Sequence, residues 1–403
     1  MSEFNRLGIL IKKLRLSKGL TVEKLAQLAC YSRGYISQIE NGIVDVDENI
    51  YSVIFKTLGV NYKKQEDTSE YNIKLDNILH EFLYLNIDLE ETKTIIEEGK
   101  NYKYSVVYHK YLIVRLAYYV LYKANSKNVK IIVEEMEKLV GQYDSRNQQI
   151  IYDYIGCYYL SIDNNKALSF YKKAIDLGTY DHATSLLAYH LGMYYYRTNN
   201  YCRALIYCLQ ALELFGNEMN FKRIYYTKLH IAILLSKNGD YEEAINEFML
   251  LLKVPNITQR DICVIYSNIC WTYIKSKNYE EALRFGLLCN AEEDDEYYYH
   301  LALIYFNLCK RDEVNRIIKE GIKFNKNNSL EIKRLSIIKM QLDGEDKSEK
   351  YVELLKEASI EVGNKGDLET IEMIYNNIIK YYKNKHQYKD AFKYLQELTK
   401  IKS

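Results

Sequence analysis

The segment Ser32 to Gly42, SRGYISQIENG, sets a guanidinium, a phenol, hydroxyls and a carboxamide close together. Read as a helix that buries Ile36 and Ile39, it leaves Arg33, Tyr35, Ser37 and Gln38 on or beside its exposed side. There a guanidinium can span O6 and N7 of guanine, and a carboxamide N6 and N7 of adenine. Each such pairing is worth about 1–3 kcal/mol of discrimination between bases. Ser32, Thr21, Asn41, Lys12 and Lys13 suit phosphate oxygens, which position a protein on a duplex without reading its sequence. The carboxylate of Glu40 suits neither task.

A second set of polar residues lies far downstream: Tyr154, His190, His230, Asn268, His300 and Asn377. Each stands two positions before Gly156, Gly192, Ala232, Cys270, Ala302 or Ile379, positions that recur along the chain at similar intervals. All six can hydrogen-bond. An extended peptide requires such partners, because each of its residues carries an unpaired N–H and C=O. Arg197, Lys237, Trp271, Lys275 and Asn307 are neighbouring candidates. Asn268 is the first choice, since its amide donates and accepts at once and Trp271 follows three residues later. The three histidines lie a repeat apart with no local ligand pair, so neither a metal site nor any other cofactor is expected.

These residues need elements to hold them. Gly8 to Lys18 is expected as an amphipathic helix with Leu7, Leu10, Ile11 and Leu14 inward. Thr21 caps a helix from Val22 to Ala29, Ser32 one from Arg33 to Asn41, and Asp47 a fourth carrying Ile50, Val53, Ile54 and Leu58. Gly19, Gly42 and Gly59 end three of them. Downstream, a helix-crossing residue precedes its partner by twelve: Gly192 and Ala204, Ala232 and Ala244, Cys270 and Ala282, Ala302 and Val314, Ile379 and Ala391. Between them fall the turns NNY at 199–201, GDY at 239–241, KNY at 277–279 and HQY at 386–388.

The first 64 residues, dense from Gly8 to Val60, resemble the phage-repressor-type (XRE) helix-turn-helix. The matching elements are LRLSKGLT, LAQLA and S-R-x-x-I-S-x-I-E-N-G. The resemblance implies that Arg15 pairs with Glu40, tying the first helix to the recognition helix. It also exposes two departures: Val22 where that family places a phosphate-holding Gln, and Cys30 where its tight turn often has Gly. The downstream pattern resembles the tetratricopeptide repeat, clearly at about 150–310 and 370–401, weakly at 71–145 and 326–365. The expected architecture is therefore all-α: a helix-turn-helix domain at 1–64, a linker at 65–70, and a right-handed solenoid of eight or nine helix pairs at 71–403. Its inner groove is lined by the first helix of each pair.

Together the two parts resemble the Rgg/Rap/NprR/PlcR/PrgX (RRNPP) regulators. That resemblance implies a transcriptional regulator of quorum-sensing type, not an enzyme. Its repeats take up a short signalling peptide and its paired heads bind a palindromic operator in double-stranded DNA as a homodimer. Sporulation, virulence and competence are among the outputs implied. Two other readings of the repeats stay open: a Rap-like adaptor or phosphatase, and repeats that only dimerise or bind a protein.

Composition narrows the classes. Residues 1–64 hold ten Lys/Arg against six Asp/Glu, whereas the rest hold 45 against 48. A basic head on a mildly acidic body fits nucleic acid at the head alone. A single proline, Pro255, fits short plain connections between helices. Eight cysteines without a CxxC pair point to reduced packing residues. The run Glu292 to Glu296 reads as a solvated loop. No signal-peptide pattern or membrane-length apolar run is present, so a cytoplasmic protein is expected.

Overall fold

The expected caps set the first helices. Thr21 Oγ1 accepts from the Lys24 N–H at 3.1 Å, and Ser32 Oγ from the Tyr35 N–H at 3.1 Å. Asp47 Oδ1 accepts from the N–H groups of Asn49 and Ile50. These satisfy donors that a helix start otherwise leaves unpaired. The structure is a computed structural model that describes residues 3–44, 46–60, 68–103, 105, 107–178, 182–365 and 368–402. Within them the regular elements are helices.

The head comprises α1 (Glu3–Ser17), α2 (Val22–Ala29), α3 (Arg33–Glu40) and α4 (Glu48–Thr57). Leu10, Ile11, Leu14, Leu25, Ile36, Ile39, Ile54 and Leu58 form its core. Val53, read as inward, is 43% exposed instead. It lies one position before Ile54, which takes the buried register. Cys30 holds the turn between α2 and α3 at φ 59°, so the left-handed geometry is kept without glycine. Gly8 brings α1 against the end of α3: a Cβ there would stand 2.4 Å from the Ile39 carbonyl oxygen.

Behind the head come α5 (Ser69–Tyr84), α6 (Leu89–Glu98), α7 (Tyr108–Tyr122), α8 (Lys127–Leu139), α9 (Ser145–Leu160), α10 (Asn164–Asp176), α11 (His182–Arg197), α12 (Tyr201–Asn217) and α13 (Phe221–Asn238). They are followed by α14 (Tyr241–Leu251), α15 (Gln259–Lys275), α16 (Tyr279–Gly286), α17 (Tyr297–Asn307), α18 (Arg311–Phe324), α19 (Ser329–Leu342), α20 (Glu349–Lys365), α21 (Leu368–Asn384) and α22 (Tyr388–Lys402). Of the expected linker 65–70, residues 65–67 lie outside the described residues, and α5 already begins at Ser69.

The twelve-residue spacing has a direct physical cause. Ala204, Ala244 and Ala282 are fully buried where paired helices cross. A Cβ on Gly192 would stand 2.7 Å from Cys208 Sγ, and one on Gly156 2.6 Å from the Tyr171 ring. The turns are equally regular. Asn199, Gly239, Lys277 and His386 take positive φ, and the next residue's N–H returns to a carbonyl five positions back, as from Asn278 to Tyr273 O at 2.9 Å. Tyr201, Tyr241, Tyr279 and Tyr388 then open the second helix.

The chain divides into two compact units, Met1–Thr227 and Lys228–Ser403. The head and the repeats through α12 thus form one unit. In it α1 touches α7, α8 and the 3₁₀ turn Val140–Gln142.

The Gly8 contact yields a test. Gly8→Ala should destabilise the full-length chain by about 1–3 kcal/mol, because the added methyl group meets backbone that cannot rotate away. Denaturant unfolding measures this. A midpoint equal to wild type would show that α1 and α3 do not pack this closely.

Candidate functional site

In the head, Arg15 and Glu40 meet as a two-pronged pair, Nε to Oε1 at 2.6 Å and Nη2 to Oε2 at 2.8 Å. Both are buried, at 6% and 3% exposure. Arg15 Nη1 also donates to Leu20 O at 2.8 Å, so the guanidinium binds α1, the turn after it and α3 together. Planar donors matched to a carboxylate fix orientation as well as distance. With Ile36 and Ile39 turned inward, Arg33, Gln38 and Ser32 are exposed, and Tyr35 and Ser37 half-exposed. Tyr35 lies beside Tyr31, ring centres 5.5 Å apart. Thr21 is exposed at the start of α2.

Two residues expected to face phosphate are held by the repeats. Lys13 Nζ lies 3.0 Å from Glu135 Oε1 on α8, donates to the Tyr108 hydroxyl on α7 at 2.8 Å and sits over that ring. Burial pushes its pKa down, with Glu135 pulling the other way. Asn41, just past α3, accepts at Oδ1 from Gln142 Nε2 at 3.1 Å. In this arrangement Lys13 is taken up by the repeats, while Asn41 stays exposed with its Oδ1 engaged by Gln142. Lys12 is half-buried, its pKa lowered first by burial, with Glu40 opposing. The repeats therefore grip the head at α1 and at the C-terminal end of α3, and leave the N-terminal part of α3 outward.

In the first unit, α5, α7, α9 and α11 line a cavity of about 320 Å³. Asp76, His80, His109, Lys110, Arg146 and Tyr154 reach it, a mixed-charge lining. Lys110 donates to Asp76 at 2.6 Å and to Asn72 at 2.8 Å. Tyr154, from the sequence ladder, is buried, and burial raises its pKa further beside Asp153. Arg223 on α13 caps the end of α5, donating to Phe82 O at 2.8 Å and to Leu83 O at 2.9 Å. Arg197 is exposed at the end of α11.

His190 is a buried ion-pair partner. Its Nδ1 lies 2.8 Å from Asp153 Oδ2 and 3.0 Å from Oδ1. Burial opposes the charge, but the Asp153 carboxylate, with Cys157 nearby, raises the imidazole to about 10. The expectation that no ladder histidine has a local ligand pair fails here. Asp153 and Cys157 stand four apart on α9, and one ligand atom from each lies with one from His190 within 4.8 Å. These three are the residues that could hold a metal ion among those described. The signal was an aspartate in the otherwise apolar run Tyr152 to Leu160.

In the second unit the ladder divides. Burial lowers the His230 imidazole to about 4, so it is neutral. His300 is lowered by burial against the pull of Glu296 and Asp294, and stacks on Trp271 with ring centres 5.1 Å apart. Asn268, Asn307 and Asn377 each donate to the carbonyl four residues back in their own helices, at 2.8–3.0 Å. This commits one amide proton of each. Glu296 takes an ion pair from Arg334, and Asp294 lies 3.9 Å from His300 Nδ1. The acidic run read as solvated thus turns Asp294 inward and ties Glu296, which stays half-exposed, to Arg334, while Glu292, Glu293 and Asp295 are exposed. Glu369 on α21, which sequence reading missed, accepts from Lys237, Lys275 and Trp271.

The His190 pair sets a pH dependence. A histidine whose folded pKa is raised stabilises fully below its unfolded value near 6.5 and loses that contribution as pH rises through about 10. Asp153→Asn should be less stable than wild type at pH 6, and the gap should narrow by pH 10. Thermal melts across that range test it, and a gap constant with pH would refute the charged pair.

Residues 11–64 match the helix-turn-helix family. The transcriptional activator NprA of Geobacillus stearothermophilus is 23% identical over 241 residues, a match spanning 56% of this chain and 57% of that protein, little more than half its length. Among solved structures, the apo form of the quorum sensor NprR from B. thuringiensis is 18% identical with a TM-score of 0.64, covering 83% of this chain and 99% of that one. NprR in complex with its cognate peptide NprX is 17% identical with a TM-score of 0.60, covering 84% and 99%. The chain thus joins a domain of the helix-turn-helix family to helical repeats with the fold of NprR, as its resemblance to the RRNPP regulators implied.

Proposed function

We propose that this protein is a DNA-binding transcriptional regulator whose repeats bind a short signalling peptide. It reads a palindromic operator in double-stranded DNA as a homodimer and works in the cytoplasm. The observation that carries the reading is the joint between its parts. The helix presenting Arg33 and Gln38 is fixed by Arg15–Glu40, and the same assembly is gripped by the repeats through Lys13 and Asn41. A change in the repeats would therefore reach the base-reading side chains through these contacts and through the apolar packing that joins the head to α5–α11. The fold shared with NprR, solved with its cognate peptide, supports the peptide half. No helix among the described residues is long and apolar enough to cross a membrane, which accords with an internal regulator.

In this reading Arg33 and Gln38 contact base edges, with Tyr35 and Ser37 beside them, while Ser32, Thr21 and Lys12 contact phosphate. Lys13 and Asn41 join these only when the head leaves its dock. The peptide lies along the first helices of the repeats. Within the second unit, Asn268, Asn377 and Asn307 offer their remaining amide valences, His230 and His300 stand beside them and Trp271 covers an apolar side chain; within the first unit, Tyr154, His190 and Arg197 are the corresponding candidates on α9 and α11.

Genome-wide mapping of bound sites gives the operator. On that operator, Arg33→Ala should cost about 1–3 kcal/mol and relax one base pair per half-site, while Lys12→Ala weakens all sequences alike. Unchanged affinity and preference in Arg33→Ala would overturn the assigned docking.

The dock gives a second test. Glu135→Ala releases Lys13 and removes a negative charge beside the basic face. Non-specific DNA affinity should rise, and its logarithmic salt slope should steepen by about 0.9, one added phosphate contact. Titrations at several salt concentrations measure it. An unchanged slope would mean that Lys13 reaches phosphate despite Glu135, or never does.

A further inference from the structure

Within the second unit, three donors from two helices converge on one carboxylate. Lys237 Nζ, in the last turn of α13, lies 2.6 Å from Glu369 Oε2. Lys275 Nζ, in the last turn of α15, lies 2.8 Å from Oε1. Trp271 Nε1 lies 3.4 Å from Oε2. Glu369 sits in the first turn of α21, 94 to 132 residues from these donors. Lys275 is held further by Ser236 O at 2.7 Å. The side chains are largely enclosed, and burial alone would raise the Glu369 carboxyl; the two ammonium groups instead hold it below the usual carboxylate range. Beside the cluster, Arg334 pairs with Glu296 and Glu331, and against the effect of burial His300, Arg334 and also Lys237 hold the Glu296 carboxyl below its usual value.

Two ammonium groups and an indole N–H on one carboxylate make a carboxylate receptor, and its position matters. Asn268, Trp271 and Lys275 are spaced i, i+3 and i+7 along α15, so they share one face. The receptor therefore continues the ladder on which a peptide is read. We propose that Lys237, Lys275 and Trp271 bind a carboxylate of the signalling peptide, and that Glu369 is an internal stand-in which occupies the receptor until the peptide displaces it. This rests on the peptide-sensor reading above and adds the chemistry of its ligand. Exchange of one carboxylate for another leaves the lysines paired throughout, so entry does not strand a buried charge. It frees the N-terminal turn of α21 from α13 and α15, which gives the repeats two arrangements that a ligand can select. A tethered competitor also weakens the apparent affinity of a free ligand, since it acts at high effective concentration.

Trp271 is the one tryptophan in the chain, so intrinsic fluorescence excited at the indole band reports on this cluster. Three random heptapeptide pools without Trp serve as probes: free C-terminal acids lacking Asp and Glu, the same sequences as amides, and amides containing Asp and Glu. Full-length wild type, Glu369→Gln, Lys237→Met and Lys275→Met are titrated with each. The free-acid pool should perturb Trp271 in wild type and bind at least about tenfold more tightly to Glu369→Gln, where the competitor is removed. Either lysine variant should erase the difference between acid and amide pools; that ratio is taken within one variant, so a general loss of stability does not imitate it. Binding of the third pool in place of the first would place the carboxylate on a side chain of the peptide. Equal binding of acids and amides, or no gain in Glu369→Gln, overturns the stand-in and leaves the peptide-sensor reading intact. No binding of any pool to wild type or to Glu369→Gln overturns both.

Discussion

A guanidinium and a carboxylate buried together hold whatever they are attached to, because parting them strands a charge away from water at a cost of about 3–5 kcal/mol. Arg15 and Glu40 are such a pair, and they fix α3 on α1. Gly8 lets the two helices approach until backbone meets backbone. The direction in which Arg33 and Gln38 point is therefore a property of α1. The placement of α1 is in turn a property of α7 and α8, through Lys13, Tyr108 and Glu135. The head is seated by these polar contacts and by apolar packing, since its buried residues run into one hydrophobic cluster with those of α5 to α11.

The repeats are built on the opposite rule. Small residues at Gly156, Gly192, Ala204, Ala244 and Ala282 bring helices close, and the energy is spread over many apolar contacts. Among the described residues, their long-range polar links include Asn220, Lys222 and Arg223 to the end of α5 in the first unit, and Glu369 to α13 and α15 in the second. Each joins helices far apart in sequence. Such links constrain the curvature of a stack whose other contacts are between neighbours.

Local chemistry made much of this legible in sequence. Helix caps at Thr21, Ser32 and Asp47, the twelve-residue crossings and the tyrosine turns all act within one or two helices. The Arg15–Glu40 pair came from resemblance to a family. Val53 was misplaced because two adjacent apolar residues compete for one inward register and only packing decides between them. The partners of Lys13, Asn41 and Glu369 were not legible. They lie about a hundred or more residues away, and a charged residue on a helix looks the same whether it meets water, phosphate or a distant carboxylate. Register placed Tyr154 and His190 among the ladder residues, but not Asp153, which makes one of them an ion pair.

A peptide on the repeats is proposed to be felt at α3, the helix proposed to read bases. Selection by the full-length protein from a random pool of DNA duplexes, with and without the heptapeptides that its repeats retain, tests it most directly. Enrichment of a two-fold symmetric sequence whose occupancy changes when peptide is added is the expected result. Enrichment of no sequence, or an enriched sequence equally occupied with and without peptide, would contradict it.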